Sequence, residues 1–259
     1  MIHNIVSFYG ADHKAGTTMV AQSVAKIISS NDPNLKVLFI AMNGRESNEY
    51  IRETPGSIDD YKYLMDNKMI NGSDFLKTSI HKGNFYMMAG VCNEMEIRYY
   101  YPEMARYLLE EISSEFDLII ADCGSELDNG LSIGTLEVSE EIILVASQQE
   151  TVIKRYEKNK NAMDGLGIGI SNFVINKFSE QDPYGLSYLS NRIGTDKEKF
   201  WKVSMADYSR QAEMDGKTLL EYKNEIYLMD IISIANNLLS RSGFPEIQKQ
   251  RKSRWRSFI

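Results

Sequence analysis

The stretch IVSFYGADHKAGTTMVAQSVAKII (5–28) decides the fold. It opens on a β-rich run, IVSFY (5–9), that stops at Gly10. From Thr17 the apolar residues Val20, Val24, Ile27 and Ile28 recur at helical spacing, which predicts a helix. Strand, loop and helix in that order make the start of a βα unit. In open sheets built from such units, ligands bind outside the carboxyl ends of the strands. The loop GADHKAGTTM (10–19) is therefore the first place to look for a site. A phosphate-holding loop needs glycines for tight turns and a helix N-terminus aimed at the anion. It also needs a hydroxyl for Mg²⁺ and a lysine for the β/γ-phosphates. Gly16, Thr17 and Thr18 meet part of that requirement, but no lysine follows Gly16. A Gly–Thr–Thr helix cap explains the same residues at least as well, because Thr is a good N-cap.

Outward from this unit the alternation continues. KVLFIAM (36–42) reads as a buried strand after the turn NDPN (31–34). Residues 44–82 are polar and Tyr-rich and read as helices and loops. NFYMMAG (84–90) is a third strand and MARYLLEEISSE (104–115) an amphipathic helix. FDLIIAD (116–122) and EIILVAS (141–147) are near-continuous apolar runs, as parallel strands covered on both faces require. A helix is expected around 149–163, a strand at 169–177, and a short strand plus helix within 195–223. IYLMDIISIANNLLSR (226–241) closes the pattern as an amphipathic helix. The expected fold is α/β, with one doubly wound, mostly parallel sheet. It occupies residues 1–245, followed by a tail over 246–259.

Composition bounds the function. The chain has 259 residues, 43% hydrophobic, with a formal net charge of −7. That excludes a disordered chain and a surface built wholesale for nucleic acid. Two cysteines, Cys92 and Cys123, and three histidines, His3, His13 and His81, give neither a disulfide framework nor zinc-ligand spacing. MIHNIVSFYG lacks the features of a signal peptide, and no apolar run approaches the roughly 20 residues of a membrane span. The expected location is cytoplasmic. The tail EIQKQRKSRWRSFI (246–259) carries five basic residues, one acid, and the apolar anchors Trp255 and Phe258. Three readings of it stand: contact with an anionic membrane from its inner face, contact with nucleic acid, or a solubilising tail. Tyr99, Tyr100 and Tyr101 cannot all face one core, so at least one is expected at the surface.

The order and spacing of these segments resemble the ParA/MinD superfamily of deviant Walker-A ATPases, over nearly the whole chain. The family's loop is KGGxGK[ST]T. Its Walker-B-like strand resembles FDLIIADCGSELD (116–128), and its strand ending in Asn–Arg resembles NFVINKF (172–178). Its segment IPxDxxxxxAxxxGxpl is similar to VSMADYSRQAEMDGKTLLE (203–221). The resemblance implies a three-layer P-loop NTPase-like fold and binding of ATP or ADP with Mg²⁺. Gly10, His13, Lys14, Ala15, Gly16, Thr17 and Thr18 would form the loop, with Thr18 and Asp122 at the metal. Asn176, Lys177 and Asp207 would complete the nucleotide site, Asn176 by reading the adenine edge.

Aligned on Gly16, Asp12 stands where the family has its signature lysine, and Thr17 where it has the Walker lysine. Ala41 takes the place of the Asp that orients the attacking water. Three parts of the hydrolytic machinery are changed together, so no catalytic residue is assigned and rapid hydrolysis is not expected. Lys14 is either a solvated loop charge or a partial substitute. His13 is read as solvent-facing because no acidic orienter is evident, and Asp12 is expected to point away from phosphate. Loss of the Walker lysine is similar to the TadZ/CpaE branch, which implies an assembly platform for Tad-type pilus machinery. An active ATPase switch for plasmid or mobile-element partition, or for membrane-linked positioning, is the alternative. The partners implied are proteins of a secretion, pilus or partition apparatus, and a second copy of the chain.

Overall fold

The structure, a computed structural model, describes residues 1–52 and 55–248. Strand β1 (Ile2–Gly10) is fully buried from Ile5 onward and leads into helix α1 (Thr17–Asn31). There follow β2 (Val37–Ala41), β3 (Gly56–Ser57), α2 (Lys62–Asp66), α3 (Gly72–Thr78), β4 (Ile80–Lys82) and β5 (Phe85–Ala89). Next come α4 (Pro102–Ile112), β6 (Leu118–Asp122), α5 (Gly130–Val138), β7 (Ser139–Ala146) and α6 (Glu150–Gly165). The chain continues through β8 (Asn172–Phe178), α7 (Leu186–Ile193), β9 (Phe200–Ser204), α8 (Ser209–Asp215) and α9 (Glu225–Arg241).

The strands form one sheet in the order β3-β5-β2-β6-β1-β7-β8-β9, with β4 against the outer edge of β5. Every pairing is parallel except β4 with β5. The period of two along each strand distributes its apolar residues between two cores. In β1, Ile5 and Tyr9 face the side covered by α4, α5 and α6, whereas Val6 and Phe8 face α1 and α9. This is the doubly wound, three-layer architecture expected. The strand order reverses at β1, which places the end of β1 between β6 and β7 at the switch point of the sheet.

Two helices escape the periodic reading. GLSIGTLEV in α5 is buried except at Ile133 and Glu137, so it has no polar stripe to reveal it. Its glycines admit a neighbour: a Cβ on Gly134 would lie 2.1 Å from the Pro102 carbonyl. Helix α7 is only 8 residues long, too short for the period to stand out. The polar 44–82 region also contributes β3 and β4, two short strands at the edge of the sheet. Of the three tyrosines, Tyr100 is buried and donates to Asp59, while Tyr99 and Tyr101 are exposed.

The packed body runs past residue 245. Phe244 and Ile247 lie against the α1/α9 core, and Asn236 both donates to and accepts from the Ile247 backbone. The basic residues Lys249, Arg251, Lys252, Arg254 and Arg256, with Trp255 and Phe258, lie outside the described residues. Among the described residues, no helix is long and apolar enough to cross a membrane, and no cluster of three metal-ligating side chains occurs.

Candidate functional site

The loop after β1 is pinned before it turns. The Gly10 N–H donates to the Gly124 carbonyl at 2.6 Å, and the Ala11 N–H to Val145 at 2.8 Å. Gly10 also lies close under the helix start, since a Cβ there would sit 2.5 Å from Thr17 Oγ1. Two left-handed residues, Lys14 (φ +59°) and Gly16 (φ +91°), then swing the chain into α1. Gly16 is required twice over. Its backbone disfavours a side chain, and a Cβ would lie 2.2 Å from Asn176 Nδ2. Asn176 Nδ2 donates to the Ala15 carbonyl and Lys177 Nζ to the Lys14 carbonyl, each at 2.8 Å. Both side chains thus hold the loop in place from β8. Asp207 is exposed in the segment after β9.

Thr18, in the first turn of α1, donates to Asp122 Oδ2 at 2.6 Å. The same carboxylate accepts from Asn43 Nδ2 at 3.2 Å and from the Gly124 N–H at 3.0 Å. Asp122 is fully buried at the end of β6, and burial pushes its pKa up to about 6 against the pull of these three donors. All three are neutral. A buried carboxylate beside a hydroxyl, with no permanent positive charge bonded to it, is a donor set that suits a hard divalent cation. Thr18 and Asp122 therefore fit the metal role that the resemblance implies.

Ala41 is completely buried and pairs with Asp122 inside the sheet. It is Asn43, two residues further on and past the strand end, that enters the site. Its amide bridges Asp122 and Ser47 Oγ, the latter at 2.6 Å. The Asn43 side chain is a neutral amide, which cannot take up a proton as a carboxylate can. Gln22, one turn along α1 from Thr18, donates from Nε2 to the Ser47 carbonyl at 3.0 Å, tying this second loop to the helix.

The loops enclose a cleft of about 420 Å³. His13, Lys14, Gly16, Thr17 and Thr18 line it, whereas Gly10, Ala15, Asn176, Lys177 and Asp207 do not. Asp12 also lines it. Its charge is met by Arg155 of α6, 2.9 Å from Oδ1. Arg155 bonds Glu126 as well, and Glu126 Oε1 lies 2.6 Å from His13 Nε2. His13 therefore does have an acidic orienter, and Ser125 sits on its other ring nitrogen at 3.2 Å. Lys14 forms no ion pair with any described residue. Five more carboxylates line the cleft besides Asp12, namely Glu49, Glu94, Glu126, Asp128 and Glu213, against only Lys14 and Arg45 as permanent cations. Sequence reading missed Arg155 and Glu126 because nothing local marks two surface charges as partners of a distant loop.

Comparison with known proteins agrees with this architecture. No protein-family model and no curated protein matches the sequence. Solved structures do match. A ParA family ATPase from Chlorobium tepidum TLS superposes with a TM-score of 0.78 at 17% identity, covering 90% of this chain and 98% of that one. The septum site-determining protein MinD of Pyrococcus horikoshii OT3, complexed with Mg-ADP, gives 0.70 at 17%, covering 91% and 96%. A chain of the MinC:MinD cell division protein complex of Aquifex aeolicus gives 0.70 at 12%, covering 96% and 99%. The chain thus has the three-layer P-loop NTPase fold of these ParA and MinD structures.

Proposed function

We propose that this protein is a ParA/MinD-type nucleotide-binding platform that holds ATP or ADP with Mg²⁺ and hydrolyses ATP slowly or not at all. The observation that carries the reading is the Thr18–Asp122 pair at the mouth of a loop whose hydrolytic positions are altered. The binding elements are in place. Gly16, Thr17 and Thr18 line the cleft at the α1 N-terminus, the helix dipole favours an anion there, and Thr18 and Asp122 would hold the metal. When bound, Mg²⁺ supplies charge neutralisation to the phosphates. The turnover elements are altered. Thr17 brings no charge to the phosphates, Asn43 cannot act as a base, and Asp12 is bound within its own chain by Arg155. A lost charge donor of this kind lowers rate by about 10²–10³.

The mechanism is therefore one of binding and presentation. Thr18 and Asp122 would hold the metal of a bound nucleotide, and the bonds of Asn43 to Asp122 and Ser47 connect that position to the 43–50 loop. Protein partners of a pilus, secretion or partition apparatus, or a second copy of the chain, would read that surface. The replaced Walker lysine favours the TadZ/CpaE type of platform, linked to Tad-type pili. The tail over 246–259 would place the protein peripherally at the inner face of the membrane. Calorimetry with ATP and Mg²⁺, paired with a phosphate-release assay, tests the proposal. Saturable binding with turnover near background is expected. No affinity for ATP or ADP in the presence of Mg²⁺ would overturn it, and rapid turnover would replace it with the active-switch reading.

A further inference from the structure

Ser125 is a hydroxyl nucleophile that the binding role leaves unused. It lies past the end of β6, half-buried in the wall of the cleft. Gly124 before it is left-handed (φ +63°), and the Gly124 carbonyl receives the Gly10 N–H. The Tyr9 hydroxyl donates to the Ser125 carbonyl at 3.1 Å. The backbone around Ser125 is thus tied to the end of β1. The point where a Cβ on Gly10 would stand lies 3.2 Å from Ser125 Cβ and 2.5 Å from Thr17 Oγ1. Ser125 therefore sits beside the first residue of α1, at the helix end that favours an anion.

The hydroxyl is met by a base. Ser125 Oγ lies 3.2 Å from His13 Nδ1, and His13 Nε2 lies 2.6 Å from Glu126 Oε1. Arg155 bonds the same Glu126 oxygen. A carboxylate held by a guanidinium offers only acceptors, so in the neutral ring it is Nε2 that carries the proton. Nδ1 is left with its lone pair, and the Ser125 hydroxyl donates to it. Nucleophile, base and orienting carboxylate thus follow one another in hydrogen-bond contact, the order that activates a serine on unrelated folds. The His13 side chain is 47% exposed, so a proton it takes up can pass on to solvent.

We propose that Ser125 is a phosphoryl acceptor which, with His13 as its base, takes the γ-phosphoryl group of a nucleoside triphosphate bound in the cleft. The proposal rests on the nucleotide-binding reading of that cleft. Ser125 Oγ attacks the γ-phosphorus, and a new O–P bond forms as the bond to the β,γ-bridging oxygen breaks. The nucleoside diphosphate leaves with that electron pair. The Ser125 proton goes to His13 Nδ1, and the imidazolium is stabilised by Glu126. The nucleophile is a side chain rather than water, so the transfer calls on no water-orienting group. It stops after one turnover per chain, which is compatible with slow or absent steady hydrolysis.

Incubation of the full chain with γ-labelled ATP and Mg²⁺, followed by peptide mass spectrometry, tests it, with calorimetry reporting whether ATP binds. Expected are one phosphoryl group per chain on Ser125, none in Ser125→Ala, and transfer slowed by about 10² or more in His13→Ala. A fluorophosphonate probe, used without nucleotide, should label Ser125 in the wild type and should label His13→Ala more slowly by a similar factor. Glu126 acts as a positioning residue. Nitrogen NMR of the His13 ring should show the Nε2–H form in the wild type and a loss of that preference in Glu126→Ala. ATP that binds without phosphorylating Ser125 would overturn this proposal alone, whereas no affinity for ATP would overturn it together with the nucleotide reading. Failure of the probe to label Ser125, or a His13→Ala variant as fast as wild type, would also overturn it.

Discussion

Thr18 Oγ1 meets Asp122 Oδ2 at 2.6 Å, joining the first turn of α1 to the end of β6 across 104 residues of sequence. The contact gives the site a pH signature. Burial raises the Asp122 pKa to about 6, above the value of about 4 for an unfolded aspartate. The native state then binds the proton more tightly than the unfolded state. The group's contribution is most favourable below the unfolded value and is lost as pH rises through about 6. Measured by denaturant unfolding, the stability of wild type relative to Asp122→Asn should improve by about 2 kcal/mol between pH 8 and pH 4. A flat difference would mean that Asp122 is not held in a dry environment.

Arg155 ties the loop to α6 through Asp12 and Glu126. All three side chains are about a third exposed or less, so the network should be worth only about 1 kcal/mol. A double-mutant cycle on Asp12→Ala and Arg155→Ala should give a coupling of that size, shrinking in high salt. The larger effect is expected on ligand. Arg155→Ala leaves the carboxylates Asp12 and Glu126 without their cation beside the cleft, so ATP affinity should fall, and Asp12→Ala should raise it.

Gly16→Ala places a Cβ on the Asn176 amide in a backbone conformation that only glycine takes freely. A cost of about 1–3 kcal/mol is expected. Asn176→Ala should loosen the same loop from the other side by freeing the Ala15 carbonyl. Faster hydrogen exchange across residues 11–17 in both variants is the measurement that checks this.

If slow turnover comes from the altered positions, restoring them should speed it. Thr17→Lys together with Asn43→Asp should raise ATP hydrolysis by about 10² or more over wild type. The substitution Ala41→Asp should not, because it buries a carboxylate inside β2 and is expected to destabilise the fold instead.

Removal of residues 246–259 tests the tail. Co-sedimentation with vesicles rich in anionic lipid should be lost on truncation, and should weaken with salt in the full chain. Unchanged sedimentation would remove the membrane reading and leave nucleic acid or solubility.

The sheet was legible because its central strands are covered on both faces and so are written as unbroken apolar runs, LIIA (118–121) and IILVA (142–146). The loop was legible through Gly16 and Thr18, whose chemistry depends on backbone turn and helix start. Helix α5 was hidden because its burial leaves Glu137 as the one exposed charge and no polar stripe. Ala41 ends β2, and Asn43 follows two residues later, past the strand. Where the strand stops decides which side chain reaches the cleft.

The sequence alone determined the βα order, the place of the loop after β1 and the absence of a lysine after Gly16, since each is written in local period, turn chemistry or residue type. Only the tertiary structure decided that Asp12 is held by Arg155, that His13 has Glu126 beside it, and that Asn43 stands over Asp122. It also decided that Gln22 and Thr218 bury oxygens without partners. Those facts arise from through-space pairing between distant segments. Charge and hydrogen-bond energies there depend on separations and burial that no spacing along the chain encodes.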